Sequence, residues 1–228
     1  DGTRVTLTAS ASASYAFDRW RGDLNSSVNP ATIEVNGNKN ITAEFTAFGW
    51  HTVGNAGLSN GTAQYISLFV HDWVPYVAYA DYSVTTYGTT VMKNNAAGNA
   101  WEAVGAPGFG VSYSNYTSLF INDAGMPYVA YRDAGNSNKV TVQKFDGSWL
   151  NVGSAGFSAG AAEDVSLFIY NGTPYVAYKD AANSSKATVM KFNGASWEAV
   201  GNPGFSAGAA TYTSLFVYGG APYVAYKD

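Results

Sequence analysis

The chain has 228 residues, of which 46% are hydrophobic and only 12% charged, with a formal net charge of −4 and no Lys/Arg run. That balance excludes the basic face that nucleic acid requires. No apolar stretch approaches the roughly 18 residues of a membrane helix. No signal-peptide pattern opens the chain, and its start at Asp1 rather than Met reads as a processed or excised segment.

Cysteine is absent and the histidines are two, His51 and His71. No transition-metal centre is expected, because such centres gather three or four N or S ligands. The 17 Tyr, 12 Phe and 6 Trp sit among Val, Ile and Thr, with Gly, Ser and Asn between them. This is a strand-and-turn composition, and it predicts an all-β fold.

In chain order, four short alternating segments come first: Arg4–Ala9, Tyr15–Trp20, Ala31–Val35 and Asn40–Phe45. Each alternates apolar and polar at period two, with Asn/Gly/Pro clusters between them, so four strands of a small domain over residues 1–47 are expected. The run Val5–Ala9, the strand Tyr15–Trp20, the W-x-G-D of Trp20–Asp23, Asn29-Pro30 and the closing Ile41–Phe45 resemble the divergent internalin-type B repeat of bacterial surface proteins. The resemblance implies a β-grasp-like spacer of an exported multidomain protein, without catalysis. Arg21-Gly22-Asp23 spells an integrin-binding tripeptide, but its Gly-Asp belongs to the W-x-G-D pattern, which makes coincidence the preferred reading.

From residue 48 onward the sequence repeats. Tryptophans at 50, 101, 149 and 197, spaced by 51, 48 and 48, each open the passage W-x-x-V-G, a Gly/Ser-rich turn, S-L-F-(V/I) and P-Y-V-A-Y-x-D. Three copies continue into a further strand at 89–93, 139–145 and 186–192. Four short strands in about 40–50 residues predict a β-propeller blade, because one such sheet cannot bury both faces alone. S-L-F-V is expected innermost, then P-Y-V-A-Y, then the K-x-T-V stretch, with W-x-x-V-G outermost. Pro75, Pro127, Pro174 and Pro222 start the second strand, where a missing N–H is tolerated.

The fourth copy stops at Asp228 without its third strand, while Trp50–Val53 supplies an outer strand with no blade of its own. The expectation is a partial propeller, either a piece of a longer one or one completed by another chain.

Trp50, Trp101, Trp149 and Trp197, and likewise Asp81, Asp133, Asp180 and Asp228, recur in every copy and are therefore read as structural. The aspartates are expected to accept turn N–H bonds. Ser67, Ser118, Ser166 and Ser214 also recur, with no partner histidine, and read as inner-strand packing rather than nucleophiles. No cofactor is expected. Calcium is the one cation with ligand types to hand, at Asp133–Asn136 or Asp180–Asn183, but the spacing is not that of a dedicated calcium loop.

Residues that break the repeat are the candidate ligand-binding set. Glu163 and Asp164 replace Gln64-Tyr65, Asn115-Tyr116 and Thr211-Tyr212, and adjacent strand residues are expected to point to opposite faces, unlike a glycosidase's facing carboxylates. Asp72 and Trp73 occupy a turn that is small or Gly-containing elsewhere, and an exposed Trp there can stack on a sugar or a partner surface.

The repeats resemble the Tyr/Trp-rich blades that accompany cell-surface anchoring modules in bacterial exoproteins. The reading is an extracellular or cell-surface binding module for carbohydrate or protein, non-catalytic. Its alternatives are a structural subunit of a surface assembly and a propeller glycosidase or lyase fragment.

Overall fold

The computed structural model describes residues 2–12, 15–47, 49, 52–95, 98–110 and 113–228. The chain divides into two units, Asp1–Thr52 and Val53–Asp228. In the first, β1 (Thr3–Leu7) pairs antiparallel with β3 (Ala31–Val35), and β2 (Tyr15–Gly22) with β4 (Ile41–Ala47). The period-two alternation turns Trp20 inward, where its Nε1 donates to the Val28 carbonyl at 3.1 Å. Phe17 packs against Trp20 and Phe45, with ring centroids 5.2 and 6.0 Å away.

The W-x-G-D motif has a local cause. Gly22 has φ of 91°, and a Cβ there would lie 2.1 Å from the Asn40 carbonyl oxygen, so only glycine fits. Asp23 then bonds Asn40 twice, its N–H donating to the carbonyl at 2.8 Å and its carboxylate accepting the N–H at 2.6 Å. Arg21 sits on β2 and bonds Glu44 of the paired strand at 3.0 Å. Arg21 and Gly22 thus end the paired strand β2, and Asp23 fixes the turn that follows it.

The second unit is a partial β-propeller. Blade one is β5 (Ala63–His71), β6 (Val74–Asp81), β7 (Thr89–Asn94) and β8 (Trp101–Ala103). Blade two is β9 (Ser114–Ile121), β10 (Pro127–Asp133), β11 (Lys139–Phe145) and β12 (Trp149–Asn151). Blade three is β13 (Ala162–Tyr170), β14 (Thr173–Asp180), β15 (Lys186–Phe192) and β16 (Trp197–Ala199). The fourth repeat contributes the pair β17 (Thr211–Tyr218) and β18 (Ala221–Lys227). Each complete blade is an antiparallel meander in sequence order, and the inner strands β5, β9, β13 and β17 lie side by side. Trp50 and His51, half of the expected N-terminal outer strand, lie outside the described residues, and Thr52 and Val53 are not in a strand.

Three recurring devices tie blade to blade. The Nε1 of Trp101, Trp149 and Trp197 donates to the carbonyls of Val53, Val104 and Val152, the valine of the preceding W-x-x-V, at 3.0, 3.0 and 2.8 Å. Phe109 and Phe157, from the intervening turns, stack on Trp149 and Trp197 at 3.9 and 4.0 Å.

The recurring serines form the second device, and they do more than the packing expected of them. Ser67, Ser118 and Ser166 Oγ each accept the N–H of the next inner strand's leucine (Leu119, Leu167, Leu215) at 2.9 Å. The third is the phenylalanine of S-L-F: Phe69, Phe120, Phe168 and Phe216 form a ladder with centroids 4.7, 4.9 and 4.8 Å apart.

Within a blade, the aspartate ending P-Y-V-A-Y-x-D is a buried hub. Asp133 accepts the Gly135 N–H at 3.0 Å, the Asn136 amide at 2.8 Å and the Thr141 hydroxyl at 2.8 Å. Asp180 does the same with Ala182, Asn183 and Thr188 at 3.0, 2.8 and 2.9 Å. Asp81 binds the Ser83 N–H and Thr90 hydroxyl at 2.9 and 2.7 Å. Each threonine hydroxyl in turn accepts a glycine N–H (Gly108, Gly156, Gly204) of the loop toward the next blade at 2.9 Å. Asp228 takes the Gly208 N–H at 3.2 Å.

Candidate functional site

Because every inner strand starts at the same end of the unit, that end gathers the residues around each strand's first turn. A bulge lies there in every copy: the pairing slips between Gln64 and Ser67, between Glu163 and Ser166 and between Thr211 and Ser214, with a matching shift opposite β9. The bulged residue takes a left-handed conformation, with φ of 51° at Tyr65, 53° at Tyr116, 50° at Asp164 and 55° at Tyr212.

The expectation that Glu163 and Asp164 point to opposite faces rests on strict alternation, which this bulge interrupts at that pair. Both carboxylates act on the same neighbours. They raise the Lys179 ammonium above the ordinary lysine value, chiefly through its hydrogen bond to Glu163, at 2.7 Å. They also help raise the Tyr116 phenol, whose main cause is burial. Arg132 of blade two approaches Glu163 at 3.7 Å. Blade three therefore inserts two acids and recruits two cations where the other copies present a neutral residue and a tyrosine.

Beside this charged cluster lies an aromatic one. Tyr65 and Tyr116 meet at 4.9 Å. Tyr87 and Tyr113 stack with centroids 4.5 Å apart and planes 12° apart, and Tyr82 sits against both at 5.6 and 6.2 Å. The Tyr82 hydroxyl bonds Asn115 Oδ1 at 3.2 Å, joining the cluster to blade two. Tyr65 and Tyr113 are exposed.

Sequence reasoning missed Tyr82, Tyr87, Tyr113 and Arg132. A signal was present: the stretch from Asp81 to Thr90 is one residue longer than Asp133–Thr141 or Asp180–Thr188, and it carries tyrosines where those have Ala and Ser or Asn.

Of the other candidates, Trp73 is 96% exposed and follows Asp72 in the β5–β6 turn, both with positive φ. That turn lies at the far end of the inner strand, roughly 25 Å from the bulges at about 3.3 Å per residue. The structure thus brings Glu163 and Asp164 together with tyrosines, but not with Asp72 and Trp73.

At that far end a cleft of about 570 Å³ separates blades two and three, lined by Tyr128, Lys144, Asn151, Tyr175 and Lys191 among others. Its Tyr/Lys pairs recur as Tyr76 and Lys93, so the cleft follows from blade geometry. At the calcium candidates, both oxygens of Asp133 and of Asp180 already accept N–H or O–H donors. Among the described residues no group of three His, Cys, Asp or Glu could hold a metal ion, and no helix is long and apolar enough to cross a membrane.

Residues 1–49 match the family described as the divergent InlB B-repeat domain. No curated protein sequence matches the chain. Among solved structures, an endo-1,4-β-xylanase from Bacteroides thetaiotaomicron is 15% identical, with a TM-score of 0.50 over 93% of this chain and 79% of that one. An exo-β-1,3-galactanase from Phanerochaete chrysosporium, solved with β-1,3-galactotriose, is 13% identical with a TM-score of 0.51, over 77% of this chain and 46% of that one. An engineered family-43 glycoside hydrolase with endo-xylanase and exo-arabinofuranosidase activity is 14% identical with a TM-score of 0.50, over 77% of this chain. The chain spans only 38% of that enzyme's length. At these identities the likeness is one of fold: a β-propeller-like all-β unit preceded by an InlB-type repeat.

Proposed function

We propose that the propeller end carrying the bulges binds a polysaccharide strand, as the recognition module of an exported, surface-associated protein. The observation that carries this is the continuous strip from Tyr87 and Tyr113 through Tyr82, Tyr65 and Tyr116 to Glu163, Asp164 and Arg132. Exposed tyrosine faces suit the apolar faces of sugar rings, and carboxylates with a guanidinium suit their hydroxyls. Along the strip the repeat is broken on neighbouring blades, as an asymmetric ligand demands. The InlB-type repeat at residues 1–49 supports an extracellular setting.

A second reading, glycoside hydrolysis, is supported by the fold shared with the xylanase and galactanase. In it Glu163 and Asp164 would be the acids. Hydrolysis needs two carboxyls flanking the scissile bond about 5–9.5 Å apart, and against that role Glu163 is committed to Lys179 and Arg132.

Affinity electrophoresis in gels containing xylan, arabinan or β-1,3-galactan tests both readings. Retardation by at least one polymer, abolished by Tyr113→Ala and weakened by Glu163→Gln, without release of reducing sugar from the wild type, is expected. Reducing-sugar release that disappears in Glu163→Gln establishes hydrolysis instead, and no retardation by any polymer removes the carbohydrate assignment.

A further inference from the structure

The cleft of about 570 Å³ between blades two and three has the size of a small-ligand site, and both of its walls belong to complete blades. Its shape follows from blade geometry, but its charge does not. Tyr128 packs into the core shared by blades two and three, and residues directly opposed on paired strands lie on one face of the sheet. Tyr128 stands opposite Lys144, and Lys144 opposite Leu150, so this row faces blade three.

In the other two complete blades that row ends in an acid. Lys93 stands opposite Glu102, and Lys191 opposite Glu198, which it bonds at 3.3 Å. Leu150 replaces the acid in blade two and is 45% exposed, so the change gives nothing to the core. The facing wall changes in the same direction: blade three lines the cleft with Phe192-Asn193-Gly194, where blade two has Phe145-Asp146-Gly147 at the same positions. Among the described residues no Asp or Glu lines the cleft, and Lys144 makes no ion pair. Tyr128 is 8% exposed and its hydroxyl bonds none of the described residues; since no sealed side-chain polar atom among them lacks a partner, that hydroxyl reaches open space. Burial, and after it Asp146, raises the phenol, which stays a donor. Glu198 is engaged by Lys191 and Asn193.

We propose that this cleft binds an acidic saccharide, one carrying a carboxylate or a phosphate, with the Lys144 ammonium and the Tyr128 hydroxyl donating to the anion. Such charge-assisted hydrogen bonds are the strong ones, and a recessed pair is screened by salt less than an exposed one. Gly153, Gly172 and Gly194 present bare backbone to the cleft, and backbone N–H and C=O groups suit sugar hydroxyls. The site is separate from the bulged end and does not depend on it.

Calorimetric titration of the full chain with trigalacturonate and with glucose 6-phosphate tests the proposal. Wild type is expected to bind at least one of them. Leu150→Glu restores the acid of the other blades at an exposed position, and Lys144→Gln removes the cation. Each is expected to melt as the wild type does and to weaken binding at least about tenfold, while Leu150→Gln binds as wild type. Tyr113→Ala is expected to leave this binding unchanged, so the proposal fails separately from the one for the bulged end. Preference for trigalacturonate assigns a uronic acid to the cleft, and preference for glucose 6-phosphate a sugar phosphate. Binding of neither anion overturns the proposal, as does binding that survives Leu150→Glu or Lys144→Gln, or that is lost in Tyr113→Ala alone.

Discussion

Replacing Asp133 by alanine removes a carboxylate that is 1% exposed and accepts three donors. Hydrogen bonds to a charged group contribute about 1.5–3 kcal/mol each, but not additively. Gly135 is exposed and Asn136 half-buried, so both can turn to water, whereas the Thr141 hydroxyl is sealed and loses its acceptor outright. The expected loss is therefore about 3–4 kcal/mol, below the sum of three bonds.

Asp133→Asn sharpens the test. One amide atom must be NH2, and in either orientation it faces a donor: the Gly135 N–H on one side, or Asn136 and Thr141 on the other. A loss of about 2–3 kcal/mol is expected, despite unchanged shape. Equilibrium urea unfolding followed by tryptophan fluorescence measures both variants. An Asp133→Asn protein within about 0.5 kcal/mol of wild type would refute the hub reading, since that is the range of an ordinary surface change.

Trp149→Phe keeps the ring contact with Phe109 but removes the bond to the Val104 carbonyl, and is expected to cost about 1–2 kcal/mol in the same assay. Burial is the main cause that raises the Tyr79 phenol to about 12, and it also raises Tyr131 and Tyr178. Since the folded state holds these protons more tightly than the unfolded one, the stabilisation is full below pH about 10 and is lost as pH rises through the folded values. A pH titration read by tyrosinate absorbance should show these three ionising late and together with loss of structure. Tyr131→Phe and Tyr178→Phe should each move that transition to higher pH. Glu163→Gln removes the partner that holds the Lys179 ammonium high, so lysine chemical-shift titration should show the Lys179 value falling.

The blade architecture was readable because it repeats: strand order, the place of each proline and the pairing of Asp with a turn all follow from four aligned copies. What the serines do was not readable. A short polar residue on an inner strand reads as filler until the neighbouring blade's leucine N–H is seen to need an acceptor. The Glu163-Asp164 pair is legible as a break in the repeat, but the bulge beneath it is not. Period-two alternation predicts opposite faces, and nothing in a single strand announces the bulge, although the same residue position is left-handed in every copy. Tyr82, Tyr87 and Tyr113 were passed over because each sits in a connection, where composition carries little weight and only the one-residue lengthening sets blade one apart.

Glycan binding at the bulged end is tested by calorimetric titration with oligosaccharides of whichever polymer retards the protein. Wild type is compared with the Tyr87→Ala/Tyr113→Ala double variant and with Trp73→Ala at the far end, melting curves being checked for each. The double variant is expected to lose at least about tenfold in affinity, as for removal of central aromatic contacts, while Trp73→Ala binds as wild type. Undiminished binding by the double variant, or loss confined to Trp73→Ala, would contradict it.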